Sequence, residues 1–192
     1  DNVELSVADE WIISRLQRAE LQVTEAFNSY RFDQAAQAIY EFVWNEYCDW
    51  YLELSKPVLN GDSNPAAKAG TRRTLLRVLE SMLRLMHPIM PYISEEIWQR
   101  VKVLVGKTGE SIMLEAYPVA DNSKINLEAE ADVEWLKSVI AGIRNIRGEM
   151  NISPSKQLPV LFHNSSASDQ QRLQRYSSQL RFLARLESLD VL

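Results

Sequence analysis

Few side chains in this sequence combine the type and the spacing that chemistry needs. Its histidines are His87 and His163 and its one cysteine is Cys48. No HExxH, no pair of CxxC motifs and no carboxylate and histidine cluster with ligand spacing accompanies them, so no metal site is indicated. GxGxxG and GxxxxGK are absent, and no Ser, His and Asp set comes with a nucleophile elbow. Glu95 and Glu96 fall where a helix should begin and complement its dipole rather than forming an acid and base pair. His87 precedes Pro88 and suits a helix end. With no catalytic set in view, binding chemistry is what remains. Lys68, Arg72, Arg73 and Arg77 are four cations with no acidic residue between them. That pattern reads phosphate backbones, or else is a solvated face partly paired through Glu80. Arg144 and Arg147, three residues apart, are a second cationic pair. Asn45, Asp49, Leu52, Glu53 and Lys56 share one helical stripe, and Leu52 stands apolar among polar neighbours. That mixture suits contact with a partner.

The elements that position these residues read as helices. Across 32–56, Phe32, Ala36, Ile39, Val43, Tyr47, Trp50 and Leu54 recur at steps of three and four, and Tyr40, Trp44, Tyr47 and Tyr51 form a second stripe. A helix aromatic on two faces needs covering on both, which makes this the central member of a bundle ending before Pro57. An amphipathic helix precedes it, marked by Ile12, Leu16, Ala19, Val23, Phe27 and Tyr30, with Asp9 as its expected N-cap. The tight connection at Arg31 makes the two antiparallel. A third helix covers about 66–86, with Leu75, Leu79, Met82 and Met86 inward and Arg73, Arg77, Glu80 and Arg84 outward. A fourth follows Pro91, burying Ile93, Ile97, Val101 and Leu104. The 106–118 segment is a turn and a short extended run.

Composition shifts near Ala120. An acidic stretch, 121–134, leads into a fifth helix with Leu136, Ile140, Ile143, Ile146 and Met150 inward. Beyond Pro154 the spacing predicts a strand at 157–162, one or two helices over 168–185, and a strand starting at 189. The expected fold is mainly α, an antiparallel helical bundle over 1–120 and, over 121–192, a long helix plus a small α/β appendage, truncated at its C-terminus.

The 192 residues suffice for a substantial core, and 46% hydrophobic with 24% charged residues is ordinary for a globular chain. No apolar run is long enough for a membrane span, and no signal peptide precedes the first helix. The lone Cys48 suits a reducing cytoplasm. The net charge of −5 makes nucleic acid a partner only where positive charge is concentrated. Opening on Asp rather than Met and closing inside an apolar run, the chain is expected to be a piece of a longer protein, monomeric by default.

Three blocks, FDQAAQAIYEFVWNEYCDWYLELSKPVLN, LLRVLESMLRLMHPIMPYISEEIWQRV and WLKSVIAGIRNIRGEMNISP, carry a resemblance over nearly the whole chain, from about residue 8. They resemble the C-terminal, tRNA-binding part of bacterial valyl-tRNA synthetases. CDWYLE-x-x-KP together with HPIMP-x-x-x-E-x-x-W is typical of class I synthetases that charge branched aliphatic amino acids. Isoleucyl and leucyl enzymes share the architecture, so they remain alternatives. The resemblance implies a helical bundle that grips the anticodon stem and loop of valine tRNA, while ATP and amino acid are handled by a catalytic domain. HIGH-type and KMSKS-type signatures and the editing insertion are absent, so this piece should bind without catalysing and hold no cofactor of its own. Carried over by residue, Leu52 would pack against an anticodon base, Glu53 would accept from an exocyclic amino group, and Lys56 would hold a phosphate. Lys68, Arg72 and Arg73 would neutralise the stem backbone, and Arg144 and Arg147 would face tRNA or the body of the enzyme. The alternative from another class is a helical module that docks a protein and touches no RNA, which the acidic 121–134 stretch would suit.

Overall fold

Residues 3–192 are described by a computed structural model. Several of its helices begin where a short polar side chain satisfies the first free amides. Ser6 starts α1 (Val7–Asn28) by accepting from the Asp9 amide at 3.2 Å, and Asp9 accepts in return from the Ser6 amide at 2.8 Å. This is a reciprocal capping box, so the cap is Ser6 and the expectation that Asp9 would serve is corrected. Asn64 caps α4 (Pro65–Met86) through the Ala67 amide at 2.7 Å, with Pro65 in the first turn. Pro91 likewise opens α5 (Pro91–Val101).

Between α1 and α4 the chain runs as a rod of three parts: α2 (Phe32–Tyr40), a π-helical stretch (Glu41–Tyr51) and α3 (Leu52–Asn60). In the π-helical stretch an amide reaches the carbonyl five residues back, as the Leu52 N–H does to Tyr47 O. More residues per turn delay the inward face. The buried line is therefore Ala35, Ile39, Phe42, then Tyr47, Tyr51, Leu54 and Val58, with a step of five across the π-helical stretch. A constant 3.6-residue period instead places Phe32, Ala36, Ile39, Val43, Tyr47, Trp50 and Leu54 inward, and of these only Ile39, Tyr47 and Leu54 are buried. The second aromatic stripe meets the same correction: Tyr40 is 57% exposed and Trp44 55%. The rod also continues through Pro57 to Asn60 instead of ending before the proline.

The chain divides into two compact units, the first reaching Ala129 and the second spanning Glu130–Leu192. In the first, Trp11, Ile12, Leu16 and Val23 of α1 are buried with Tyr51 and Leu54 of the rod and Val78, Met82 and Leu85 of α4. Burial of side chains this size contributes about 1.5 to 3 kcal/mol each. Leu83, Trp98, Val101 and Ile112 form a cluster where α4 meets α5. Trp98 is wholly buried, whereas Ile93 and Leu104, expected inward, are exposed. The 106–118 segment holds a short 3-10 turn (Ile112–Leu114) and no strand.

Two buried carboxylates tie this unit together. Asp9 accepts from Tyr51 Oη at 2.6 Å and Thr71 Oγ1 at 2.8 Å, joining α1, the rod and α4. Glu80 accepts from Arg84 at 2.8 and 2.9 Å and from Trp98 Nε1 at 3.0 Å. Burial by itself would raise the Glu80 pKa, but the hydrogen bonds from Arg84 and Trp98 win and hold it below the usual carboxylate value. Glu80 is thus a buried hub rather than the outward residue expected.

The second unit holds most of α6 (Leu127–Glu149), then β1 (Leu158–Phe162), α7 (Ala167–Arg175), α8 (Ser177–Ala184) and β2 (Leu186–Val191). The strands pair in parallel, Leu158 with Leu186 and Phe162 with Val191, and the register shifts around the exposed Pro159. A parallel pair needs a long crossover, which α7 and α8 supply. Asp132 accepts from Arg172 Nε at 2.8 Å and from Tyr176 Oη, fastening α7 to α6. The architecture is the mainly helical bundle with a small α/β appendage that the sequence pattern leads to.

Candidate nucleic-acid interface

Leu52, Glu53 and Lys56 occupy the first turns of α3, directly after the π-helical stretch and just before Pro57. Both neighbours disturb the ordinary helix ladder. Pro57 has no amide to offer the Glu53 carbonyl four residues back. All three side chains are half-buried. Lys56 Nζ lies 2.5 Å from Glu53 Oε1, so cation and carboxylate are paired across one turn of helix. A half-exposed pair of this kind contributes little to stability, about 0 to 1 kcal/mol, and is readily traded for a ligand.

Lys68, Arg72 and Arg73 stand on the first half of α4, a helix that packs on α3. Lys68 is half-buried, while Arg72, Arg73 and Arg77 are exposed. Glu80, the carboxylate that could have neutralised this patch, is instead bonded to Arg84 and Trp98 and lies 3.6 Å from Lys107. The patch keeps its positive charge.

The cationic pair of α6 separates. Arg144 is exposed, but Arg147 is 7% exposed. Its guanidinium donates to the carbonyls of Ser153 at 3.3 Å, Lys156 at 2.8 Å, Ala184 at 3.0 Å and Arg185 at 2.9 Å. Arg147 clamps the chain after α6 to the turn between α8 and β2, and so is withdrawn as a contact to an outside ligand. The signal was in the spacing: Val133, Leu136, Ile140, Ile143 and Arg147 step by three and four, so Arg147 continues the inward line. Ile146 and Met150, assigned inward from sequence, are exposed.

His87 Nδ1 lies 2.7 Å from Ser94 Oγ, where α4 gives way to α5. Among the described residues no group of three or more His, Cys, Asp and Glu side chains is placed to hold a metal ion. No helix of the described residues is long and apolar enough to cross a membrane.

An exposed cationic patch beside a helix turn with an apolar and a hydrogen-bonding side chain suits a ligand that has both phosphates and base edges. Residues 9–162 match the family described as the anticodon-binding domain of tRNA ligases. The chain belongs to that family. This anticodon-binding domain is also similar to the valine–tRNA ligase of Acinetobacter baylyi, being 50% identical over 185 residues that cover 96% of the chain. It spans 19% of the length of that relative. The family match takes in α1, the rod, α4, α5, α6 and β1, and therefore Leu52, Glu53, Lys56, Lys68, Arg72, Arg73 and Arg144.

Proposed function

We propose that this chain is the anticodon-binding part of a valine–tRNA ligase. It would hold the anticodon stem and loop of valine tRNA while a catalytic domain in the remainder of the longer protein performs ATP-dependent aminoacylation. The observation that carries the reading is the 50% identity to a valine–tRNA ligase over 96% of the chain. Half-buried Leu52 offers an apolar surface to a splayed base, and Glu53 exchanges its Lys56 partner for an exocyclic amino group. Lys56 is then released to a phosphate. Lys68, Arg72 and Arg73 neutralise the stem backbone, and exposed Arg144 adds positive charge for a further phosphate. On this reading ATP belongs to the catalytic domain, the partners are valine tRNA and that domain, the compartment is the cytoplasm, and the working form is a monomer.

The test is a binding titration of this chain against valine tRNA, and against the same tRNA with its central anticodon base changed, at two salt concentrations. Affinity that falls with salt and with the base change supports the reading. Binding that ignores the base leaves backbone gripping alone. Absence of binding at either salt removes the tRNA function from this chain and favours a module that docks protein. In the same titration Glu53→Ala should weaken valine tRNA binding by about 1 to 3 kcal/mol, the cost of one lost base contact, with an unchanged unfolding midpoint.

A further inference from the structure

Glu20 has no role in the anticodon site, yet its placement is unusual. It lies in the middle of α1 with only 4% of its surface exposed. No described group hydrogen-bonds its carboxyl, and its electrostatic neighbours are Arg84 and Lys124. Burial without a partner is costly for a carboxylate, and it pushes the Glu20 pKa up to about 7 against the pull of Arg84 and Lys124. Arg84 is already committed to Glu80 and the Ala116 carbonyl, and Lys124 pairs with Asp121 at 3.2 Å. Glu20 lines an open cleft of about 910 Å³ bounded by α1, α4 and the 116–126 segment. Apolar Leu16 and Val78 and the Tyr117 ring contribute to its walls. Arg73 and Arg77, exposed and four residues apart on α4, also line it. The cleft thus sets a buried carboxyl beside apolar walls and two guanidinium groups.

We infer that this cleft takes one unstacked nucleotide of the bound tRNA, with the Watson–Crick edge of its base on Glu20 and the flanking phosphate on Arg73 and Arg77. The inference rests on the tRNA reading above. A protonated carboxyl presents one donor and one acceptor side by side. Adenine offers the complementary N1 acceptor and N6 amino donor, and cytosine offers N3 and N4. Guanine and uracil offer a ring N–H beside a carbonyl, an edge that the same carboxyl meets with its proton on the other oxygen. Leu16, Val78 and the Tyr117 ring give the base an apolar and aromatic surface to pack on. Arg73 belongs both to the cleft and to the phosphate patch of α4, so the backbone track and the cleft are continuous.

The experiment measures the affinity of this chain for valine tRNA in four forms: unaltered, Glu20→Leu, Glu20→Gln and Arg77→Met. It adds footprinting of each complex at saturating protein with dimethyl sulfate, which methylates adenine N1 and cytosine N3, and with a carbodiimide, which modifies guanine N1 and uracil N3. Glu20→Leu is expected to weaken binding roughly ten-fold, the cost of one lost base contact. It should also expose one base that the unaltered chain protects. Glu20→Gln, whose amide keeps one donor and one acceptor, should retain both affinity and protection, whereas loss of protection at a single base in Glu20→Leu is a readout that a purely structural role would not give. Arg77→Met should weaken binding without exposing that base. If Glu20→Leu binds with unchanged affinity and footprint while Glu53→Ala weakens binding, the nucleotide is not in the cleft and the anticodon reading stands. If the unaltered chain binds no tRNA, both readings fall.

Discussion

Asp9 and Glu20 lie on the same helix and are both buried, but their surroundings give them opposite energetic roles. Asp9 is met by Tyr51, Thr71 and Ser6, so its desolvation is offset by hydrogen bonds that fasten three elements. Glu20 meets none, and its carboxyl holds a proton more tightly in the folded chain than in the unfolded one. With a folded pKa of about 7 against an ordinary value of 4.5, the group's contribution is fully present below pH 4.5 and is lost as pH rises through 7. Arg84 on α4, Lys124 and the Tyr117 phenol are the charged and titratable groups around it. Glu20→Gln removes this titration. The variant is expected to unfold like the parent near pH 4.5 and to be more stable near pH 8. The gain is about 1 to 2 kcal/mol once solvent on the open side of the cleft is allowed for. Urea unfolding at the two pH values measures it, and an equal difference at both would show that Glu20 ionises normally. A residue that costs stability where the protein operates is a candidate for function rather than folding.

At the scale of elements, two departures from regular helix behaviour are open to direct test. Gly70 lies in α4 where a Cβ would stand 1.9 Å from the Glu4 carbonyl oxygen. Elsewhere in a helix Gly→Ala stabilises by about 1 kcal/mol. Here it must push away the strand of chain that donates from the Glu4 amide to Ala66 O at 3.2 Å and leads into the Ser6 cap. Gly70→Ala is therefore expected to lower stability by about 1 to 3 kcal/mol. A raised melting temperature would mean that this lead-in yields freely. The π-helical stretch carries the second test. Deleting one exposed residue from an α-helix rotates everything beyond it by a quarter turn or more and misplaces the buried face. Deleting exposed Asn45 instead closes the five-residue step between Phe42 and Tyr47 to four, which a regular helix accommodates. Its loss should cost less than deletion of exposed Thr24 from α1, as unfolding midpoints of the two variants would report. The same stretch explains what the sequence could and could not convey. Ile12, Leu16, Ala19 and Val23 repeat with one unbroken period and are buried as the pattern requires. In the rod the period changes midway, and nothing in residue type announces a π-helical turn. Arg147 misleads for another reason: its charge suggests the surface, while the phase of its own helix places it inward. An apolar side chain on a polar stripe points to the proposed anticodon-site residues, while the Glu20 cleft depends on α1, α4 and a distant segment meeting, which periodicity does not encode.

For the whole molecule the governing fact is a net charge of −5 on a chain whose proposed ligand is a polyanion. Beyond a Debye length of about 8 Å at physiological salt the charges average towards repulsion or nothing, so attraction has to be local. The local attraction resides in Lys56, Lys68, Arg72 and Arg73, with Arg77 one turn beyond Arg73 on α4, while Glu80 is withdrawn into the core. Four phosphate contacts correspond to a slope of about −3 in log K against log salt. Affinity for valine tRNA should then fall roughly sixty-fold when salt rises four-fold. Arg72→Met, exposed and remote from the buried hubs, should make that slope shallower by about one while leaving discrimination against a changed central anticodon base intact. Glu53→Ala should do the reverse, preserving the slope and weakening discrimination. Two variants that each changed both quantities in proportion would mean that phosphate gripping and base reading are one site, and the division of labour between α3 and α4 would have to be abandoned.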